Sequence, residues 1–545
     1  MQRRDFLKKM SAGTAGALTL STMPFLHTSC AAGAAKPNII VILCDDLGYS
    51  DIGCYGGEIE TPNLDAMAEN GLKFTQFYNA ARCCPTRASI LTGLYPHQAG
   101  VGHMDSDHGF PAYQGYLNDN CVSIADVMKT AGYQTCASGK WHTGSQESAR
   151  PMQRGFDRYY GLLYGACNYF KHPEGEIWEG DEPTQVPQDG SYYTTDAFTD
   201  HAVNFIGDTG DNEDPFFLYL AYTAPHYPLQ AWPEDIEKYR GKYMQGWDQL
   251  REERYQRLLD LDMIDPEWEL SPRDDRNGPW EDLTDEEKDW RDHLMAIYAA
   301  MVDNMDQNIG RVLDKLKETG QYENTLIFFV SDNGACPYPN AMGDEPVYDD
   351  NGDLIVPGGP DAEYAYGWEW ANAGNTPFRK YKQFTHEGGT ATPFIVHWPA
   401  ARQEGLLTRQ KGHIIDVMAT CVDVAGAEYP SEHEGNEIHP MEGKSLLPVI
   451  QGKQREGHDY ICWEHKGNQG ILKDDWKLVS YHPTQRGITD EESETAGWEL
   501  YNLAADRTEL NDLINEEPER ATELEKLYQA WADRVGVLPW STVTG

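Results

Sequence analysis

Basic residues are scarce in this chain: 44 lysines and arginines stand against 88 aspartates and glutamates, a formal charge of −44. That balance excludes nucleic acid as a partner, because its binders carry basic patches. It does not exclude a small anionic substrate, since charges beyond about 8–10 Å are largely screened at physiological salt. It does require any anion site to be built from a local knot of cations. Ordered cysteine spacing is missing as well. The eleven cysteines are odd in number and contain no CxxC pair, which argues against a zinc ribbon or a dense disulfide framework. They are expected to be small buried apolar residues, with room for one isolated disulfide. Apart from the leader region no long apolar run occurs, and internal repeats and low-complexity tracts are absent.

What is present begins with residues 1–30. Arg3-Arg4-Asp5-Phe6-Leu7-Lys8 precedes a mild apolar run from Ala12 to Leu26. A basic start, a short apolar stretch and small residues make a signal peptide, and the paired arginines give it a twin-arginine form. The apolar run is too short for an ordinary membrane span. Cys30 is a candidate lipidation site, although His27 fits the usual pattern poorly. This leader predicts export machinery as a partner, a periplasmic or cell-surface location, and membrane contact only through a lipid anchor.

The 545 residues suffice for one large domain and a smaller one. Apolar β-type runs alternate with helical patterns, the mark of an α/β sheet. Asn38–Leu43, Phe216–Tyr222, Thr325–Val330 and Phe394–His397 are expected strands, with another around Gln134–Ala137. Helices are predicted from Thr61-Pro62 to Gly71, over Ser123–Ala131, and over His293–Thr319 with Met295, Tyr298, Val302, Met305, Ile309, Leu313 and Leu316 on one face. The acidic, Trp-rich segment between Trp232 and Asp292 is expected as an insertion covering one edge of the sheet. Asp349-x-Asn351-x-Asp353 hints at a calcium loop, but Leu354 stands where glycine is needed, so a hairpin turn at Asn351-Gly352 is predicted instead. From about Gly457 short strands (Asp459–Trp463, Gly470–Leu472, Trp476–Ser480, Trp498–Asn502) and a helix over Pro518–Val535 form a small α+β unit. The expected division is 36–455 for the large domain and 456–545 for the C-terminal one.

The chemistry lies at strand ends. Asn38–Leu43 runs into Cys44-Asp45-Asp46, the strand before Gly139 into Lys140-Trp141-His142, Phe216–Tyr222 into Ala224-Pro225-His226, and Thr325–Val330 into Asp332-Asn333-Gly334. In open α/β sheets ligands bind outside the carboxyl ends of the strands. Asp45, Asp46, Asp332 and Asn333 would form an all-oxygen cage suited to a hard cation, calcium better than magnesium. Lys140, Arg87 and Lys382 could supply the cationic knot, while His142 and His226 are candidates for proton transfer. His97, His103 and His201 are assigned to structure. Cys83-Cys84-Pro85-Thr86-Arg87, running into Leu91-Thr92-Gly93, places a cysteine at the mouth of a helix, where Pro85 is tolerated and backbone N–H groups face an anion.

Together these residues resemble the type I sulfatases of the alkaline-phosphatase superfamily. The family pattern C-x-P-[S/T]-R followed by L-T-G falls on Cys83, Pro85, Arg87 and Leu91-Thr92-Gly93, with Cys84 in the variable position and Thr86 in place of the more frequent serine. Asp45-Asp46-Leu47-Gly48, Gly139-Lys140-Trp141-His142, Ala224-Pro225-His226, Asp332-Asn333-Gly334 and His386-Glu387-Gly388-Gly389-Thr390 extend the likeness over nearly the whole chain after the leader. The resemblance implies a large mixed, mostly parallel sheet between helices, with a smaller C-terminal α+β domain. It also implies that Cys83 is oxidised by a maturation enzyme to Cα-formylglycine. One hydroxyl of the hydrated aldehyde would attack sulfur and the other would expel sulfate, whereas a serine would stall as a stable ester. Calcium would be held by Asp45, Asp46, residue 83, Asp332 and Asn333. Arg87 would steady the formylglycine, Lys140 and Lys382 would hold sulfate oxygens, His226 would protonate the leaving alcohol, and His142 would take a proton as sulfate leaves. Lys382 is preferred to Lys380 by its offset from Pro377 and Gly388.

The expected substrate is an O-sulfated saccharide, with Trp463, His465 and Asn468 reading the sugar, or alternatively packing within the C-terminal sheet. A phosphonate monoester or phosphodiester hydrolase of the same superfamily, and a non-catalytic calcium-dependent glycan-binding protein, are the competing readings.

Overall fold

The computed structural model describes residues 36–210, 214–401, 405–480 and 497–544. The leader over 1–30 and the lipidation candidate Cys30 lie outside the described residues. Among those described, no helix is long and apolar enough to cross a membrane.

The strand Asn38–Cys44 is the axis of the fold. Its β-branched residues suit a pleated surface, and every one of its residues is buried. Alternate side chains point to opposite faces: Ile40, Ile42 and Cys44 enter one core, and Ile39, Val41 and Leu43 enter the other. A strand buried on both faces is the expected product of a continuous apolar run in a parallel sheet. It pairs in parallel with Phe216–Ala221 and Thr325–Ser331. Gln134–Lys140 and then Arg158–Leu162 extend the parallel flank. Phe394–His397 joins antiparallel to Thr325–Ser331, and short strands complete ten. The sheet is therefore mixed and mostly parallel, between two cores.

One long helix, Asp285–Glu318, packs its apolar stripe into the first core. It begins eight residues before the expected His293. Its first two turns are polar and acidic, so they show no apolar period. What starts the helix is a capping box: Thr284 Oγ1 accepts from the Glu287 N–H while the Glu287 carboxylate accepts from the Thr284 N–H. Acidic residues there also suit the helix dipole.

The segment 232–292 does not cover a sheet edge. Its helices Pro233–Tyr239 and Gly246–Asp260 pack on the long helix and on Gly367–Gly374, respectively. Buried Arg254 ties it down, donating to both Glu58 oxygens (2.8 and 2.9 Å) and to Asp51 (2.6 Å). At Asn351-Gly352 the predicted turn forms: Gly352 has φ +83° and Tyr348 pairs antiparallel with Leu354. Asp349 spends its carboxylate on the N–H groups of Asn351 and Asp353.

The C-terminal sheet is separate and antiparallel, in the order Ile461–His465, Asn468–Lys473, Trp476–Ser480, Glu499–Asn502. Helix Pro518–Val535 packs across it. A buried ion network docks this sheet. Glu387 accepts from Lys477 Nζ and Arg507 Nε, each at 2.7 Å; Lys477 also lies 3.2 Å from Glu509, and all four side chains are fully buried. The ten cysteines among the described residues are buried and unbridged.

Candidate active site

Parallel pairing carries four strand ends to one edge. Cys44 is in register with Ser331, and Ala221 with both Leu43 and Gly139. The residues that follow must therefore share one crevice: Asp45 and Asp46, Asp332 and Asn333, Lys140 and His142, and His226. All are buried.

Three oxygens of the carboxylate–amide group have no hydrogen-bond partner among the described residues: Asp45 Oδ1, Asp46 Oδ2 and Asn333 Oδ1. Buried polar atoms are rarely left so, and the cost of leaving them is offset if a cation is bound. Asp45, Asp46 and His226 each offer a ligand atom within 4.8 Å of the others. An oxygen-dominated donor set of this kind fits a hard divalent ion. The remaining valences are used internally. Asp45 Oδ2 contacts Lys140 Nζ, and Asp46 Oδ1 contacts Lys382 Nζ. Asn333 Nδ2 donates to Asp46 Oδ1 (2.6 Å), and Asp332 Oδ2 takes Arg87 Nε and Nη2 at 3.0 and 2.8 Å. Burial pushes the Asp45 carboxyl up, but Lys140, then His226, Arg87 and Lys382, hold it below the usual range. Burial opposes the Lys382 charge, and Asp46 more than restores it.

Cys83 opens the helix Cys83–Thr92, every residue of which is buried. Pro85 sits in the first turn. The Thr86 hydroxyl accepts from the Ala80 N–H at 2.9 Å, a bond that serine could equally make. Arg87 also donates to the Lys140 carbonyl (2.9 Å), joining the helix to its neighbouring strand. Sγ of Cys83, Sγ of Cys84 and a ring nitrogen of His142 lie within 4.8 Å of one another. The hydrogen bond from Cys84 holds the Cys83 thiol well below its ordinary range; burial opposes this, while Lys140, Lys382 and His142 reinforce it. Position 83 thus stabilises negative charge inside a protein that carries −44 overall. This is the local knot of cations that the composition demanded.

Asp46 and His142 have φ of +68° and +54°, a conformation uncommon for residues other than glycine and concentrated at functional sites. Burial, then Lys140, lowers the His142 pKa. Burial likewise lowers that of His226 against the pull of Asp46 and Asp45. His226 Nδ1 bonds the Tyr227 carbonyl at 2.6 Å, so Nδ1 carries the proton, and Nε2 lies 3.4 Å from Asp46 Oδ2. Gly165 leaves room for the His142 ring: a Cβ there would stand 2.5 Å from Cε1. Gly165→Ala should lower kcat roughly tenfold or more by displacing that ring, with the unfolding midpoint nearly unchanged. Steady-state kinetics beside a denaturant titration checks this.

The backbone bends at Lys380 and Gln383 (φ +69° and +81°). Lys382 enters the crevice, while Lys380 turns to Asp274 at 3.4 Å. Of the sugar-reading candidates, Trp463 is 3% exposed and donates its indole N–H to the Asn79 carbonyl (2.7 Å), so it is packed rather than open to a ligand. Asn468 Nδ2 donates to the carbonyls of Gln383 and His465 and so positions the turn. His465 is fully buried, yet neither ring nitrogen has a partner among the described residues. Its ring lies 5.3 Å from that of His103, which sequence reasoning assigned to structure alone. Arg82 and Lys466 were missed as well. The available signal was their sign: basic residues flanking Cys83 and His465 in so acidic a chain.

A family model described as Sulfatase matches residues 37–427, and one described as N-sulphoglucosamine sulphohydrolase, C-terminal, matches 378–533. The chain is 34% identical over 538 residues to an uncharacterized sulfatase of Schizosaccharomyces pombe, covering 93% of this chain and 95% of that protein. It is 35% identical over 443 residues to an arylsulfatase of Klebsiella aerogenes, covering 78% and 94%. Among solved structures, Ps i-CgsB in complex with k-i-k-neocarrahexaose superposes with a TM-score of 0.66 at 26% identity, covering 91% of this chain and 93% of the other.

Proposed function

The chain belongs to the sulfatase family and is a sulfuric ester hydrolase, and we propose that it desulfates O-sulfated saccharides through a Cα-formylglycine made from Cys83, with calcium assistance. The observation that carries this reading is the buried group of Arg87, Lys140 and Lys382 around Cys83, beside three oxygens without partners. Support for a saccharide comes from Ps i-CgsB, whose structure holds k-i-k-neocarrahexaose.

Asp45, Asp46, Asp332 and Asn333 would hold the calcium together with residue 83. The bound ion would supply Lewis-acid polarisation of a sulfate oxygen. Formylglycine would supply, as its hydrate, a hydroxyl to attack sulfur and a second through which sulfate is expelled. Lys140 and Lys382 hold sulfate oxygens as charge moves from sulfur to the leaving oxygen. His226, its Nδ1 fixed by Tyr227, delivers a proton from Nε2 to the leaving alcohol. The negative charge of bound sulfate favours the imidazolium, in which Nε2 also carries a proton, and burial, which disfavours that charged form, makes the proton easy to give up to the leaving oxygen. His142, neutral for the same reason, accepts a proton at position 83. Arg87 keeps the first helical turn against Asp332. A maturation enzyme for Cys83 and an export route that delivers the protein to the periplasm or cell surface complete the proposal.

Calcium should protect the fold as well as the activity. At about a hundredfold excess over its dissociation constant it should add about 2.7 kcal/mol to unfolding. Chelation should remove that increment, and Asp46→Asn should abolish the response. Calcium-dependent denaturant titrations check this. The substrate reading is tested by sulfate release from a panel of defined sulfated saccharides and an aryl sulfate; turnover of the aryl ester alone would reject the glycan.

A further inference from the structure

The crevice carries more positive charge than one sulfate and one metal cage need. Arg82 caps the helix that starts at Cys83. Lys466 occupies the turn between strands Ile461–His465 and Asn468–Lys473, with φ +52°. A short chain of hydrogen bonds brings these two positions together. The Gln383 N–H donates to the Ala81 carbonyl (2.8 Å), and the Gln383 carbonyl accepts from Asn468 Nδ2 (2.9 Å). Gln383 directly follows Lys382, so Arg82, Lys382 and Lys466 lie on neighbouring stretches of chain, and both other cations act on Lys466.

Lys382 is neutralised by Asp46. Among the described residues, neither Arg82 nor Lys466 has a carboxylate within 4.0 Å, and the hydrogen bond found for Arg82 runs from Nε to the Met104 sulfur (3.3 Å). Both side chains are partly buried. Acids outnumber bases 88 to 44 in the chain, and leaving two neighbouring cations partly desolvated without an acid is costly. Lys466 feels its neighbour: burial, then Arg82, draws it down to about 8. Beside them His465 is fully buried, and among the described residues both of its ring nitrogens and His103 Nδ1 are unpartnered. Cations without acids and imidazoles without partners, meeting at the mouth of a sulfate pocket, are the groups that an anionic, hydroxylated ligand would satisfy.

We propose that Arg82 and Lys466 form a second anion subsite beside the scissile sulfate, so that the preferred saccharide carries a further acidic group, a second sulfate or a carboxylate, within reach of both. Half-buried His103 completes the subsite with a neutral hydrogen bond, and the fully buried His465 ring lies behind it. The inference rests on the saccharide reading above and narrows it.

The test compares one disaccharide backbone in three forms: singly sulfated, sulfated at a second position, and singly sulfated with a uronate carboxylate. At least one dianionic form should be desulfated with kcat/KM roughly tenfold or more above the singly charged form, as expected for a charge-assisted contact. Lys466→Gln and Arg82→Gln should each collapse that ratio, chiefly through KM, and Lys466→Arg should largely restore it. The second sulfate and the carboxylate are separated by which form is preferred. Equal rates on all three forms, or a preference that survives both glutamine variants, overturns the subsite while leaving the saccharide reading intact. Sulfate release from an aryl ester and from no saccharide overturns both.

Discussion

Cys83→Ala is expected to reduce kcat for sulfate-ester hydrolysis by roughly 10⁴-fold or more, the scale on which removal of a covalent nucleophile acts. The fold should survive, because the change removes one small sulfur from a helix whose other residues remain packed. Cys84→Ala is the necessary contrast. Cys84 packs in the second core, and burial, followed by the neighbouring Cys83, pushes its thiol well above the ordinary range. Its loss should cost about 1 kcal/mol of packing and leave a functional position 83. Side-by-side kinetics and denaturant titrations of the two variants separate chemistry from packing between adjacent cysteines. A Cys84 variant as dead as the Cys83 variant would reassign the nucleophile.

The largest effect on stability should come from Glu387, which does no chemistry. Its carboxylate lies between Lys477 and Arg507 with no solvent exposure, and Arg507 reaches on to the Thr75 carbonyl at 2.6 Å. Glu387→Ala would leave buried Arg507 without a carboxylate and Lys477 with Glu509 alone, a change that costs about 3–5 kcal/mol. Burial pushes the Glu387 pKa up, but Lys477 and Arg507 overcome it and hold the group below its ordinary value. The sign follows. A folded-state pKa below the unfolded one gives stability that is complete above the unfolded value, about 4.3, and is lost as pH falls through the lower folded value. Wild-type protein should therefore show acid destabilisation below about pH 4 that the variant lacks. Denaturant midpoints across that range measure both effects. A variant with the same midpoint at neutral pH would mean that the C-terminal sheet docks by other contacts.

The parts of this molecule legible in its sequence are those decided locally. Asn38–Leu43 predicts a doubly buried strand because Ile39 to Leu43 are all apolar, and Asp45-Asp46 must then project past its carboxyl end. The Cys83–Arg87 pattern is likewise contiguous. The long helix was begun too late because its opening is specified by a capping box and not by apolar spacing. Segment 232–292 reads as edge cover because acidic stretches usually face solvent, and nothing local to Arg254 announces that Glu58 and Asp51 await it. Glu387 is legible only as part of a motif; the cations that pair with it, Lys477 and Arg507, are remote in sequence. Lys382 could be preferred over Lys380 by offset, but the reason is two left-handed backbone positions that spacing does not encode. Trp463 is a sugar-reading candidate only through the family likeness, with packing in the C-terminal sheet as the alternative, and its N–H is spent on the Asn79 carbonyl. Arg82 and Lys466 become neighbours only when the C-terminal turn docks on Gln383.

On the proposed reading Cys83 acts as the precursor of an aldehyde and not as a thiol. Peptide mass spectrometry across Cys83-Cys84, on protein that releases sulfate from a saccharide, tests it most directly. Residue 83 should have exchanged its CH2–SH group for CHO in the active fraction, residue 84 should remain a cysteine, and specific activity should scale with the converted fraction. Full activity from protein in which residue 83 is still an unmodified cysteine would contradict it.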